Sequence, residues 1–482
     1  MAVIDLAPPR RAHVPARTPA PSHRDRGIDL VRALCVLAVM LVHGLQVAVT
    51  AGAAGPVLEY ATRGAAWYPP LTWLLQVMPL FFVVSGFAGA IAHRRLRERG
   101  GSATDFVTAR VHRLLLPALA PIAAVALALA ALPALGVPDE LLGEAGLRWR
   151  EPLWFLAVFL GVQALLPALL RAHERAPWPS LLALAGGAVI VDVLRAETGI
   201  DAVGYANLAF VWLALQQAGF LLADGRIEAL SRRARLLGAG AAVTALLAAF
   251  ASGLWSPDLI AHLNPPTTAL LVLGAAQTLA LSLLRPRLRE LAERPHIAAV
   301  TGFVTARTMT FYLWNLSALL LLAGGTLLLA HWGALTLPEP SSLQWWLDRP
   351  QWLLASIVLT ATAARLFGPL ERVRAVRPTG ELRRTGQAIA LGLAGLGLLL
   401  VAGASPLSGV AALALLLGAL ARIRAPRPTL GEAGPAGSAR RQESPDGAAG
   451  RAGSAASTAP SRPGNRDSRS SSRRQFRIAV PR

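Results

Sequence analysis

Long apolar runs alternate with short polar stretches along most of the chain. The runs lie at roughly 28–50, 71–92, 114–136, 152–170, 180–195, 205–223, 236–254, 266–284, 309–330, 351–369, 386–403 and 407–422. Most approach the ~20 residues that an α-helix needs to cross the hydrocarbon of a bilayer. The pattern predicts about twelve transmembrane helices, of which the fifth and the last are short. The apolar residues are continuous within each run and do not alternate, which speaks against a β-barrel. With 54% hydrophobic residues and a mean hydropathy of +0.48, the chain is too oily for an ordinary soluble protein of this length. The fold class expected is an all-α polytopic membrane protein.

Charge then orients the helices. Only 15% of residues are charged, and the formal net charge of +20 comes from arginine, because the sequence contains no lysine. A cytoplasmic N-terminus makes 93–113, 171–179, 224–235, 285–307, 370–385 and the tail the inside loops. These hold "HRRLRERGG", "RAHER", "DGRIEALSRRAR", "RPRLRELAERPH" and "ERVRAVRPTGELRR". The opposite loops, 53–70, 137–151, 196–204, 255–265, 331–350 and 404–406, are poor in arginine. This bias is the positive-inside pattern, and a missed or invented helix would reverse it partway. Both termini are therefore expected in the cytoplasm and the chain in the cytoplasmic membrane. The basic balance is explained by topology and anionic lipid, so no nucleic-acid partner is expected.

The ends of the chain read differently. Residues 1–26 are rich in Pro and Arg and are expected to be a disordered cytoplasmic N-terminus, with the first apolar run an uncleaved signal anchor. Residues 425–482, rich in Ser, Ala, Gly, Pro and Arg, carry too little large apolar surface to fold and are expected to be a disordered basic tail. Catalysis, if present, falls to the membrane helices and their loops. The single cysteine, Cys35, allows no intramolecular disulfide and reads as a small apolar filler.

The first run carries the most informative misfits. In "RDRGIDLVRALCVLAVMLVHGLQ", residues 24–46, Arg32 stands near the start and His43 deep in the apolar stretch. Eleven residues make nearly three helical turns, so the two side chains share a face, about 16 Å apart along the axis. Ionisable groups in a membrane are costly and normally face a bundle interior or a wet cavity. A snorkelling arginine and a hydrogen-bonded core histidine would explain each residue separately. Together, on one face, they suggest a tunnel with a positive mouth and an imidazole at depth.

Other stretches add candidates, each with a plainer reading. "MPLFFVVSGFAGA", 78–90, places Ser85-Gly86 after Phe81 and Phe82, where small residues permit close helix packing. In "FVTARVHRLLLPAL", 106–119, Arg110 and Arg113 stand one turn apart and could clamp a phosphate or simply belong to the inside charge. Trp154 and Gln163 occur in the fourth run, the Trp where an aromatic belt would place it. The amides Asn207, Gln216, Gln217, Asn264, Gln277 and Asn315 punctuate the spans or their outer ends, as helix-bridging residues do.

Taken in order, these pieces resemble the acyltransferase-3 family of integral membrane O-acyltransferases. "GIDLVRALCVLAVMLVHG" is similar to the family's first-helix pattern of Arg or Lys, ten residues, then His, and Asp29 fits it too. "FFVVSG" at 81–86 matches F-F-x-x-S-G, and "RVHR" at 110–113 matches R-x-x-R. "LWFLAVFL" resembles the family's W-F-L region, "MTFYLWN" at 309–315 its late Y-x-x-Y-L-x-H segment, and "FGPLERV" weakly echoes its final-helix end. The resemblance covers about ten helices, over roughly residues 24–375. The chain departs from the pattern at Asn315, where many relatives carry His, and no Pro follows Glu371 in the usual place.

The resemblance implies a domain at 27–375, with 376–424 an additional helical pair outside it. It implies acyl transfer from an acyl-CoA, most simply acetyl-CoA, used as co-substrate, with no permanently bound cofactor and no metal. Arg32, Arg110 and Arg113 would hold the nucleotide phosphates. His43 would then act as general base or be acylated and pass the group outward. Ser85 would orient the histidine or donate to the developing oxyanion, with Asp29, Phe82 and Trp154 in support. The acceptor would be a hydroxyl on a sugar, lipid or secondary metabolite. Two further readings stay open: a transporter or exporter using His43 as a proton relay, and an inactive family member serving as a scaffold.

Overall fold

The computed structural model describes residues 25–52, 55–373 and 379–425. Helix α1 (Arg26–Gln46) starts at Asp25, whose carboxylate accepts a hydrogen bond from the Ile28 N–H. A β-hairpin follows, β1 (Val47–Gly52) antiparallel to β2 (Gly55–Tyr60), in register from Val47–Tyr60 to Gly52–Gly55. Helices α2 (Tyr68–Leu75) and α3 (Met78–Glu98) come next, then α4 (Ala103–Ala131), which opens on a reciprocal Ser102–Asp105 capping box. The order continues with α5 (Asp139–Arg150), α6 (Leu153–Arg175), α7 (Pro177–Thr198), α8 (Asn207–Ala223), α9 (Arg232–Ala251) and α10 (Ala269–Glu293). It ends with α11 (Pro295–Thr305), α12 (Thr308–His331), α13 (Leu343–Phe367), α14 (Leu382–Ala402) and α15 (Pro406–Arg422).

Among the described residues, eleven helical segments are long and apolar enough to cross a membrane, and α15 is a shorter apolar helix. These match the twelve apolar runs. The protein is a multi-pass, all-α membrane protein. The expected disordered termini, apart from Asp25, Arg26 and Ala425, lie outside the described residues.

The structure corrects the pattern in three places. The first run predicts a helix to about residue 50, yet the helix ends at Gln46 and Val47–Gly52 forms a strand. Valines and Thr50 favour extended backbone, and pairing with β2 satisfies the polar groups that a fraying helix end would leave open. The expected outer loop 137–151 contains α5, "DELLGEAGLRWR". Asp139 and Glu140 stand in the first turn and Arg148 and Arg150 in the last, which suits the helix dipole, while the length and polarity of α5 prevent it from spanning. The loop 285–307 contains the end of α10 and the eleven-residue α11, begun by Pro295 at the first turn.

Two buried clusters organise the bundle. One joins α4, α6, α14 and α15 through residues such as Leu115, Leu160, Leu396 and Leu416. The helical pair thus packs on the core: a side chain at Gly392 would meet Leu115 and Leu160, and one at Gly409 would meet Ala126. The other cluster joins α1, α3, α6, α8 and α10 through Ile28, Phe82, Phe155, Trp212 and Leu270. Here α3 and α8 cross with almost no gap. A Cβ on Gly86 would lie 2.0 Å from the Gln216 carbonyl oxygen, and one on Gly219 would lie 2.0 Å from that of Val83. By contrast α7 and α9 bury little of their length and present apolar residues such as Leu182, Ile190, Leu237 and Leu247 outward, as lipid-facing helices do.

The start of α1 is pinned to α10. Asp25 accepts from Arg285 at 2.7 Å and from Arg289 at 2.6 Å, and Arg285 also pairs with Glu228. Burial raises the Asp25 carboxyl, but hydrogen bonds from Arg289 and Arg285 and the Arg285 charge outweigh it and hold the group at about 2, below its ordinary 3.8. A depressed carboxyl stabilises the fold above its unfolded value and loses that contribution as pH falls through the folded one. The Tm deficit of Asp25→Asn relative to wild type is therefore expected to be full above about pH 4 and to shrink as pH falls toward 2. A deficit that does not change with pH would show that the ion pairs do not set it.

Candidate functional site

Helix α1 presents a stripe of residues at steps of three and four: Arg32, Cys35, Val39, His43 and Gln46. From Cys35 to Gln46 this stripe lines a cavity of about 120 Å³ inside the bundle. Phe81 and Met78 of α3 form another wall, and Trp154 and Phe155 of α6 a third. Helix α12 closes it with Thr308, Met309, Tyr312 and Asn315, which recur along one helical face. The end beyond His43 is bounded by Gln46, Leu75, Gln76, Ile260 and Leu263. The wall is largely apolar, with a few polar groups concentrated on α1, α12 and the α2–α3 junction, the usual make-up of a small-molecule site.

His43 is the imidazole of this space, lining it together with the Cys35 thiol and the Tyr312 hydroxyl. Its Nδ1 lies 3.2 Å from the amide Nδ2 of Asn315. The backbone just past it is held by Arg349 of α13, which donates to the Gly44 carbonyl at 3.2 Å and the Val47 carbonyl at 3.1 Å. Arg349 itself is buried with its guanidinium 3.8 Å from the Trp345 ring centroid. A cation at the C-terminal end of α1 opposes the partial negative charge there, so it fixes both the end of the helix and the height of His43. Tyr312 donates its hydroxyl to the Pro152 carbonyl and sets its ring edge-on to Phe155, which ties α12 to the start of α6.

The opposite end of the stripe is positively charged. Arg32 pairs with buried Asp29 one turn earlier, at 3.3 Å. Arg110 lies over the Phe106 ring and close enough to feel the charges of both Arg113 and Arg32. Three expected site residues, far apart in sequence in the case of Arg32, are thus brought to one place. Neither Arg110 nor Arg113 has a carboxylate in salt-bridge contact among the described residues, although Arg113 lies within electrostatic reach of Glu371. Glu371 accepts from the Thr310 N–H at 2.7 Å, next to the cavity-lining Thr308 and Met309. Three arginines against Asp29 and Glu371 leave this end with an excess of positive charge, a setting suited to an anion such as phosphate.

Other expected residues are placed elsewhere. The Ser85 hydroxyl accepts from Gln163 at 3.1 Å, and Gln163 also donates to Gln216, so Ser85 belongs to a polar tie between α3, α6 and α8 and is not among the cavity-lining residues. Phe82 is fully buried and stacks on Trp212 with ring centroids 4.4 Å apart, while its neighbour Phe81 reaches the cavity. Trp154 does line it. Asp29 accepts from Arg32 and is not among the cavity-lining residues. Tyr312, Gln46, Gln76 and Thr308 were not singled out by sequence. The spacing of Met309, Tyr312 and Asn315 within "MTFYLWN" was the available signal for α12, since three-residue steps put them on one face.

A family model described as an acyltransferase domain matches residues 25–367. No curated protein and no solved structure matches the chain.

Proposed function

The chain belongs to the acyltransferase-3 family and is a multi-pass membrane acyltransferase; on that premise we propose that it moves an acyl group, most simply acetyl, from cytoplasmic acyl-CoA to a hydroxyl of a carbohydrate, lipid or secondary-metabolite acceptor. The observation that carries this reading is a single stripe on α1 that runs from the arginine cluster to His43 along an apolar cavity. In this reading the arginine-rich end faces the cytoplasm, where acyl-CoA is made. Both termini lie on that side of the cytoplasmic membrane.

Arg32, Arg110 and Arg113 hold the phosphates of the donor, and the thin pantetheine arm follows the stripe for about 16 Å to His43. The acceptor hydroxyl comes from the end bounded by Gln46 and Gln76. His43 takes its proton as the oxygen attacks the thioester carbonyl. The C–S bond then breaks, the thiolate of CoA recovers the proton from the imidazolium, and the new C–O bond leaves as the ester. Trp154, Phe155 and Phe81 keep bulk water from the thioester, which otherwise would be hydrolysed.

The test uses purified protein in detergent with labelled acetyl-CoA and measures release of the CoA thiol alongside binding. Release or saturable binding by wild type is expected, and the absence of both would overturn the reading. With turnover in hand, Arg110→Gln combined with Arg113→Gln is expected to raise the donor KM about a hundredfold with kcat nearly unchanged, since each charge-assisted contact contributes about 1.5 kcal/mol and two are lost. A fall in kcat at unchanged KM would place these arginines elsewhere than on the donor.

A further inference from the structure

The amide of Asn315 meets one ring nitrogen of His43 and leaves the other alone. Its Nδ2 lies 3.2 Å from Nδ1, and its Oδ1 is buried with no hydrogen-bond partner among the described residues. Asn315 is almost fully buried on α12, 272 residues from His43 in sequence, and both line the cavity. Nε2 of His43 has no protein partner among the described residues.

The chemistry of the ring makes this arrangement informative. An Nδ2–H donating to Nδ1 requires a lone pair there, so the neutral ring carries its proton on Nε2 and cannot accept another at that atom. A ring that has taken a proton carries hydrogens on both nitrogens, and an amide N–H facing Nδ1–H would set donor against donor. Only the carboxamide oxygen can then serve Nδ1. Rotation of the amide by half a turn exchanges Oδ1 and Nδ2 at the same site without moving either backbone, and the two orientations differ only in hydrogen bonding.

Resting on the acyltransferase reading above, we propose that Asn315 is the positioning residue of His43, its amide turning so that Oδ1 accepts from Nδ1–H and Nε2 faces the cavity as the atom that takes the proton of the acceptor hydroxyl. The same contact then holds the imidazolium until CoA recovers the proton. A neutral amide does this without burying a second charge within the span, where an unmatched carboxylate would be costly. The side chain is short enough to reach only Nδ1, so it also fixes the rotation of the ring.

Three variants test this against a purely structural role. Asn315→Leu keeps the branched shape, at somewhat larger volume, and removes both hydrogen-bonding atoms. It is expected to lower kcat about tenfold to hundredfold with the acetyl-CoA KM within about twofold of wild type. Asn315→Asp keeps an acceptor at Nδ1 and is expected to restore part of kcat relative to Asn315→Leu. A carboxylate there also favours the protonated ring, so the acid limb of its pH–rate profile moves to higher pH. Asn315→His, which supplies a ring nitrogen in place of the amide, is expected to fall between the two. Should Asn315→Leu fail to fold, the shifted limb of Asn315→Asp carries the test, since lost packing alone would not move it. Unchanged kcat in Asn315→Leu, or an Asn315→Asp enzyme with a wild-type limb, would overturn the assignment. A wild-type protein without turnover or donor binding would instead overturn the acyltransferase reading from which it starts.

Discussion

Gly86→Ala is expected to lower the stability of the purified protein by about 3 kcal/mol, at the upper end of what overpacking costs, because the clash is with backbone. The added Cβ would sit 2.0 Å from the Gln216 carbonyl oxygen, and neither α3 nor α8 can give locally without moving a whole helix. Gly219→Ala meets the same crossing from the other side, 2.0 Å from the Val83 carbonyl oxygen. Once the helices have been forced apart by one substitution, the second should cost little, so the double variant is expected to be clearly less destabilised than the sum. Gly161→Ala on α6, with nothing near its Cβ, is the matched control and should be neutral or slightly stabilising. The measurement is the thermal midpoint in detergent. A Gly86→Ala protein that melts with wild type would show that the crossing is looser than described. The consequence reaches the cavity, because Phe81 lies just over one helical turn before Gly86 on the helix that would shift.

His43→Ala is expected to lower kcat by about 10²- to 10⁴-fold, the range contributed by a positioned general base. Binding of acetyl-CoA should persist within a few-fold, because the proposed phosphate site begins at Arg32, about 16 Å along α1 from the deleted ring. This separation of effects is the diagnostic part. A histidine that merely filled space would affect stability and donor binding together, whereas a base affects the chemical step alone. His43→Gln keeps the hydrogen-bonding capacity toward Asn315 and should fold at least as well as His43→Ala, yet it should be as inactive, because an amide does not take a proton at neutral pH. Single-turnover rates with bound donor would decide it, and a His43→Gln enzyme at wild-type rate would remove His43 from the chemistry.

Much of the architecture was legible because its signals are periodic and long. Apolar runs and arginine-rich loops repeat along the chain, and the eleven long helices and one shorter among the described residues follow from them. The face shared by Arg32 and His43 was legible for the same reason, since helical geometry alone sets it. What could not be read locally are pairings across the bundle. Asn315 meets His43 from 272 residues away, and nothing near either residue announces the other. Ser85 and Phe82 sit in a motif that suggested a site, but in the structure their side chains turn to Gln163 and Trp212, because on a helix only some of five neighbouring residues can face one cavity. The β-hairpin was hidden for another reason. Six-residue strands of small and β-branched residues are as apolar as a helix end, and only the pairing partner across the turn separates the two.

The proposed donor path is tested most directly by equilibrium binding of labelled acetyl-CoA to the purified protein in detergent. The expected result is one saturable site per chain, displaced by unlabelled CoA, retained in His43→Ala and weakened about a hundredfold when Arg110 and Arg113 are both replaced by Gln. Absence of saturable binding to wild type, or binding that is indifferent to loss of both arginines, would contradict it.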